Sequence, residues 1–123
     1  MAHVPILRQR GYLIATLQSA ITDQEAQELQ DELMEQVSRY RARGVIVDVT
    51  VLDVLDSFAA RTLQVIAHTT RLRGAHTCLV GVQPEVAFAM VRLGLQMEHV
   101  YTALDLEEGL AFLDELIGRQ GER

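Results

Sequence analysis

Apolar and polar positions along the chain change period several times, and each change marks an element. Val4 to Leu7 and Tyr12 to Leu17 are short apolar segments separated by Gly11, which predicts two strands joined by a tight connection. From Ala26 the apolar positions recur three and four residues apart, at Leu29, Leu33, Val37 and Tyr40. Thr22-Asp23-Gln24-Glu25 just before them has the spacing of a capping box, so an amphipathic helix is expected over residues 23–42. Its solvated face carries Glu28, Asp31, Glu32 and Glu35. After Gly44, the β-branched run Val45-Ile46-Val47-Asp48-Val49 predicts a buried central strand.

A loop from Thr50 to Leu55 leads to Asp56-Ser57, and residues 58–73 read as a second helix stopped by Gly74. Thr77 to Val82 predicts another buried strand. Gln83-Pro84-Glu85 starts a third helix, with proline at its first position and an acid beside it, that ends near Leu93. Val100-Tyr101 predicts a short edge strand. Asp105-Leu106-Glu107-Glu108 opens a last helix with Leu106, Leu110, Leu113 and Ile117 as its inner stripe. Strands alternating with helices imply parallel pairing, with the opening hairpin adding an antiparallel element. The expected fold is α/β: one domain over residues 1–117, a small mixed sheet with about four helices, and a flexible tail at 118–123.

Composition narrows the function. A chain of 123 residues, 49% hydrophobic and 23% charged, supports one globular core. No apolar run approaches the roughly 20 residues of a bilayer span, and Arg8 and Arg10 interrupt any secretory signal, so a cytoplasmic, non-membrane protein is expected. Cys78, the sole cysteine, lies in an apolar stretch where core filling is the ordinary role. The net charge is −6 and no basic cluster stands out, which weighs against nucleic acid as a partner. All eleven basic residues are arginine.

In parallel sheets, functional groups gather beyond the C-terminal strand ends, where this chain offers mainly Asp23, Asp48, Asp53, Asp56 and Ser57. No histidine lies in those loops, which leaves the serine without the usual general base. His3, His68, His76 and His99 are scattered, with no pair at metal-ligand spacing. Without lysine a Walker-type phosphate loop is impossible, and no GxGxxG follows a strand. Asp48 sits where receiver domains carry a phospho-acceptor, but the acidic pair and the lysine of those domains are missing. Asp48 is instead expected to bond amides of the loop after it. Neither an enzyme nor a cofactor or metal site is expected.

Ser57 remains. With Asp56 it stands where side-chain oxygens cap a helix, and capping alone would account for both. The preceding Val51-Leu52-Asp53-Val54-Leu55 and the following Phe58 are unusually apolar for a surface connection. In the second helix, Ala59, Leu63, Ile66 and Ala67 make one apolar stripe, and Phe58, Val65 and Leu72 continue beside it. One stripe suits a sheet and the other a partner. The third helix, Val86 to Val91 unbroken by charge, is either largely buried or shows the same excess.

Asp56-Ser57-Phe58 after a Val-Ile-Val-Asp strand, then a helix, a Gly74-Ala75 turn, the strand to Val82 and Gln83-Pro84-Glu85, resembles the STAS domain of anti-anti-sigma factors. The resemblance runs from about Val4 to Leu116. Val-Pro-Ile-Leu at 4–7, Leu-Asp-Ser-Phe at 55–58 and Ala-Leu-Asp-Leu-Glu at 103–107 are most similar to its RsbS-like stressosome members. The resemblance implies that an RsbT-like serine kinase phosphorylates Ser57 and that a PP2C-like phosphatase reverses it. It also implies assembly with RsbR-like STAS paralogues into a large hetero-oligomer that sequesters the kinase in stress or sigma-factor signalling. Val54, Leu55, Phe58 and Arg61 become expected partner contacts, with Asp56, Asp23 and Asp48 as neighbours of the phosphosite. A second acceptor in the third helix is excluded, because Glu85 to Leu93 contains neither Ser nor Thr. A one-to-one anti-sigma antagonist and a small-ligand sensor, using the apolar surface of the second and third helices, are the alternatives.

Overall fold

The computed structural model describes residues 4–94 and 98–121. Five strands, β1 (Ile6–Gln9), β2 (Tyr12–Thr16), β3 (Gly44–Asp48), β4 (His76–Val80) and β5 (Val100–Ala103), lie in the sheet in chain order. β1 pairs antiparallel with β2, and every later pair is parallel. The helices are α1 (Asp23–Tyr40), α2 (Ser57–Leu72), α3 (Pro84–Arg92) and α4 (Leu106–Gly121). The mixed sheet and four helices agree with the expected α/β fold.

Strand alternation divides the core in two. Leu13, Ala15, Val45, Val47 and Leu79 face α1 and α2, meeting Leu29, Leu33, Val37, Ala59, Leu63 and Ile66, with Val86 of α3 joining them. Tyr12, Ile14, Ile46, Cys78 and Val80 face the other way, against Leu110 and Leu113 of α4. On that side the Tyr12 hydroxyl donates to Asp114 Oδ1 at 2.6 Å. Burial and the Asp114 carboxylate push its pKa up to about 12. Burial, aided by the charge of Glu108, pushes the Cys78 thiol up to about 11, so it stays protonated and fills core as expected.

Several boundaries differ from expectation: β1 is Ile6–Gln9 instead of Val4 to Leu7, β4 is His76–Val80 instead of Thr77 to Val82, and two helix ends move. α1 stops at Tyr40, where Arg41 takes a left-handed conformation (φ 50°) and its amide closes onto the Val37 carbonyl. Residues 118–121, expected as tail, continue α4. A glycine inside a helix costs only about 1 kcal/mol relative to alanine, too little for Gly118 to end it. His3, Glu122 and Arg123 lie outside the described residues. Among the described residues no helix is long and apolar enough to cross a membrane.

Candidate functional site

Asp56 and Ser57 do not share the capping role. Asp56 is the N-cap: it holds extended backbone (φ −80°, ψ 172°) and its Oδ1 accepts from the Ala59 amide at 2.8 Å. Ser57 is therefore the first helical residue, half-buried, and its hydroxyl has no recorded hydrogen-bond partner among the described residues. Asp56→Ala should lower stability by about 1 kcal/mol, as loss of an N-cap does, while leaving the Ser57 hydroxyl in place. Chemical denaturation of the purified variant measures it.

The apolar collar is divided by the core. Val51 and Val54 stand 61% and 59% exposed, whereas Leu52 and Leu55 are buried and pin the loop down. Leu55, expected among the partner contacts, has its side chain on the α1/α2 side of the core. Phe58 is 40% exposed on the first turn of α2, and Arg61, one turn on, is exposed. The two stripes of α2 separate as expected, with Ala59, Leu63, Ile66 and Ala67 buried and Phe58, Val65 and Leu72 outward. On α3 only Val86 is buried, which decides between its two readings: Phe88 and Val91 face solvent.

Two of the expected acidic neighbours have other attachments. Asp48 Oδ1 accepts from both the amide (3.0 Å) and the hydroxyl (2.6 Å) of Thr50, the local bonding anticipated for it. Asp23 begins α1 behind the cap Thr22 and makes no recorded contact with Ser57. The loop before it does approach the site, since Ala20 and Ile21 line a small niche with Leu52, Val54, Leu55 and Asp56.

A larger open cleft of about 560 Å³ lies between α3 and the C-terminal ends of β4 and β5, lined mainly by Leu79, Val82, Met90, Val91, Val100 and Leu104. Of the two helices expected to offer a small ligand an apolar surface, α3 thus borders this cleft, while Val65 of α2 lines a smaller one of about 270 Å³. His68 and His99, distant in sequence, pack with ring centroids 5.4 Å apart. Among the described residues no three metal-ligating side chains converge.

Sequence reasoning missed a basic cluster. Arg8-Gln9-Arg10-Gly11, Arg41-Ala42-Arg43-Gly44 and Arg71-Leu72-Arg73-Gly74 repeat the pattern Arg-x-Arg-Gly immediately before or at the start of β2, β3 and β4. About 30 residues separate the copies, so no local window collects more than one unit. The signal lay in the repeat and its phase with the strands. The parallel sheet places all three at the end opposite Ser57, and their six arginines are exposed.

A family model described as the STAS domain matches residues 3–108. The RsbT co-antagonist protein RsbRA of Bacillus subtilis (strain 168) is 28% identical over 107 residues, which make up 87% of this chain and 39% of RsbRA. The chain thus spans about two fifths of the length of the curated relatives it matches. Among solved structures, a serine-to-glutamate variant of RsbS from Moorella thermoacetica aligns with a TM-score of 0.83 at 31% identity, covering 94% of this chain and 98% of that one. A chain from the molecular architecture of the stressosome, a signal integration and transduction hub, aligns with a TM-score of 0.76 at 28% identity, covering 92% and 98%.

Proposed function

The chain belongs to the STAS domain family, and on that premise we propose that it is a phospho-regulated scaffold of the stressosome type, which holds an RsbT-like serine kinase and releases it when Ser57 is phosphorylated. The carrying observation is the Ser57 hydroxyl: partly exposed, relieved of capping by Asp56, and flanked by outward Val54 and Phe58. Likeness to RsbS, to a stressosome chain and to RsbT co-antagonist proteins supports assembly with RsbR-like STAS paralogues into a large cytoplasmic hetero-oligomer. In this reading the chain itself catalyses nothing, and a PP2C-like phosphatase resets it.

The chemistry is a phosphoryl transfer performed by the partner. Ser57 Oγ attacks the γ-phosphorus of ATP, its O–P bond forms as the bond to ADP breaks, and the hydroxyl proton leaves to a base on the kinase. The product carries about −1.5 to −2 charges at pH 7. The helix N-terminus favours those charges by roughly 0.3 to 1 kcal/mol, and Arg61, at the i+4 position, adds a few tenths. The neighbouring Asp56 carboxylate opposes these gains by like-charge repulsion, which solvent screens at this exposed helix start, and little refolding is expected. A partner seated on Val54 and Phe58, however, must now strip water from a dianion, which costs several kcal/mol unless the dianion is paired.

Incubation with the cognate kinase and ATP, followed by mapping of the modified residue by mass spectrometry, tests the assignment. A single phosphate on Ser57 is expected, and modification elsewhere overturns it. The α3 cleft favours a second reading, a sensor for a small apolar ligand, because its volume lies in the range of small-molecule sites. Native mass spectrometry showing a retained small molecule would support that reading. A 1:1 complex with a sigma-factor regulator, in place of a large assembly, would instead indicate a direct antagonist.

A further inference from the structure

The three Arg-x-Arg-Gly units stand side by side. The Arg43 amide donates to the Gly11 carbonyl at 3.0 Å and the His76 amide donates to the Arg43 carbonyl at 3.1 Å, which ties the strand entries into one row. Neighbouring strands are about 4.8 Å apart, so the outer two units lie roughly 10 Å from each other. The row is poorly neutralised. Arg10 reaches Asp114 at 3.5 Å in an exposed pair, Arg8 lies over the Tyr40 ring at 4.0 Å, and Arg73 donates to Ser38 Oγ at 3.1 Å. Arg41, Arg43 and Arg71 have no recorded acidic partner among the described residues. Two of the arginines, Arg10 (φ 52°) and Arg41 (φ 50°), hold the left-handed backbone usually left to glycine or asparagine. In a two-residue hairpin turn, the position of Arg10 is one where asparagine is the ordinary choice.

The chain also carries a matching surface. Glu28, Asp31 and Glu35 form an exposed stripe on α1. Among the described residues Glu28 and Asp31 accept from the neutral amides of Gln24 and Gln27, and Glu35 pairs with Arg39. At 1.5 Å rise per residue this stripe is about 10.5 Å long, close to the span of the arginine row. Three carboxylates at that spacing meet three guanidinium pairs, and arginine's planar fork binds carboxylate bidentately where lysine could not. The net charge of −6 disfavours a polyanion as the occupant.

We propose that the Arg-x-Arg-Gly row is an assembly surface that takes the acidic face of α1 from a second copy of this chain. The two surfaces differ, so the contact is head-to-tail and propagates into a ring or an open array instead of closing as a twofold dimer. It lies at the end of the sheet away from Ser57, and it does not depend on what that serine does.

Sedimentation velocity of the full chain at low and high salt provides the test. Wild type should self-associate at low salt and disperse at high salt. An Arg41→Glu/Arg43→Glu/Arg71→Glu/Arg73→Glu variant and a Glu28→Arg/Asp31→Arg/Glu35→Arg variant should each stay monomeric, with thermal melts showing that both fold. Mixing the two should restore association, because each then supplies the opposite charge. Ser57→Asp should associate like wild type, so failure of the phosphosite reading leaves this result readable. A wild-type chain that stays monomeric at low salt, or association untouched by charge reversal, overturns the proposal. So does a monomer whose arginine row is instead retained by a single-stranded oligonucleotide or by phosphatidylglycerol vesicles.

Discussion

Ser57→Asp should weaken binding of an RsbT-like kinase at least tenfold, while Ser57→Ala should bind as wild type and never release. Ser57 is half-buried at the first position of α2 with exposed Val54 and Phe58 around it. A carboxylate there must lose water when those apolar groups are covered, and a loss of about 1.4 kcal/mol already reaches tenfold. Alanine removes the acceptor and adds no charge. Asp56 continues to cap the helix in both variants, so differences in kinase binding report on the interface and not on folding. Surface plasmon resonance of the three proteins against one kinase preparation decides it. Equal affinity of wild type and Ser57→Asp would refute the switch.

The largest structural effect is expected from Gly81→Ala. Gly81 has φ +77°, and a Cβ there would collide with Thr50 Oγ1 and stand 2.9 Å from the Thr50 Cα. The left-handed conformation costs an L side chain about 1 kcal/mol, and crowding against backbone adds roughly 1–3 kcal/mol. A total near 3 kcal/mol corresponds to a Tm about 10 °C lower for a domain of this size. Gly74→Ala is the control, since its φ is +85° and nothing lies within 4 Å of its Cβ. The difference between the two isolates the collision. It matters for the site because Thr50 is fastened by Asp48 on one side and by the Gln83 amide on its carbonyl, and Thr50 opens the loop that delivers Ser57. A Gly81→Ala melt within a few degrees of Gly74→Ala would show that the loop yields.

Most of the architecture was legible because period and punctuation agree along this chain. The capping box at Thr22 is formed in full, and the double stripe of α2 became one buried face and one open face. The site was legible only by type. Nothing local distinguishes Asp56 from Ser57 as cap, since both side chains can accept; the choice follows from which backbone is extended and which is helical. Leu55 and Val54 are equally apolar, and only the path of the loop over the core turns one in and the other out. The basic row as a whole fits in no window, because parallel crossovers bring together segments about 30 residues apart.

One face of the sheet has a single helix to cover it. Tyr12, Ile14, Ile46, Cys78 and Val80 wait for Leu110 and Leu113, which belong to the last element in the chain. A ribosome therefore finishes all five strands and their opposite cover before the missing helix can leave the exit tunnel. Throughout that interval the nascent domain carries a bare hydrophobic plate, and any truncation ahead of Leu106 would make the interval permanent.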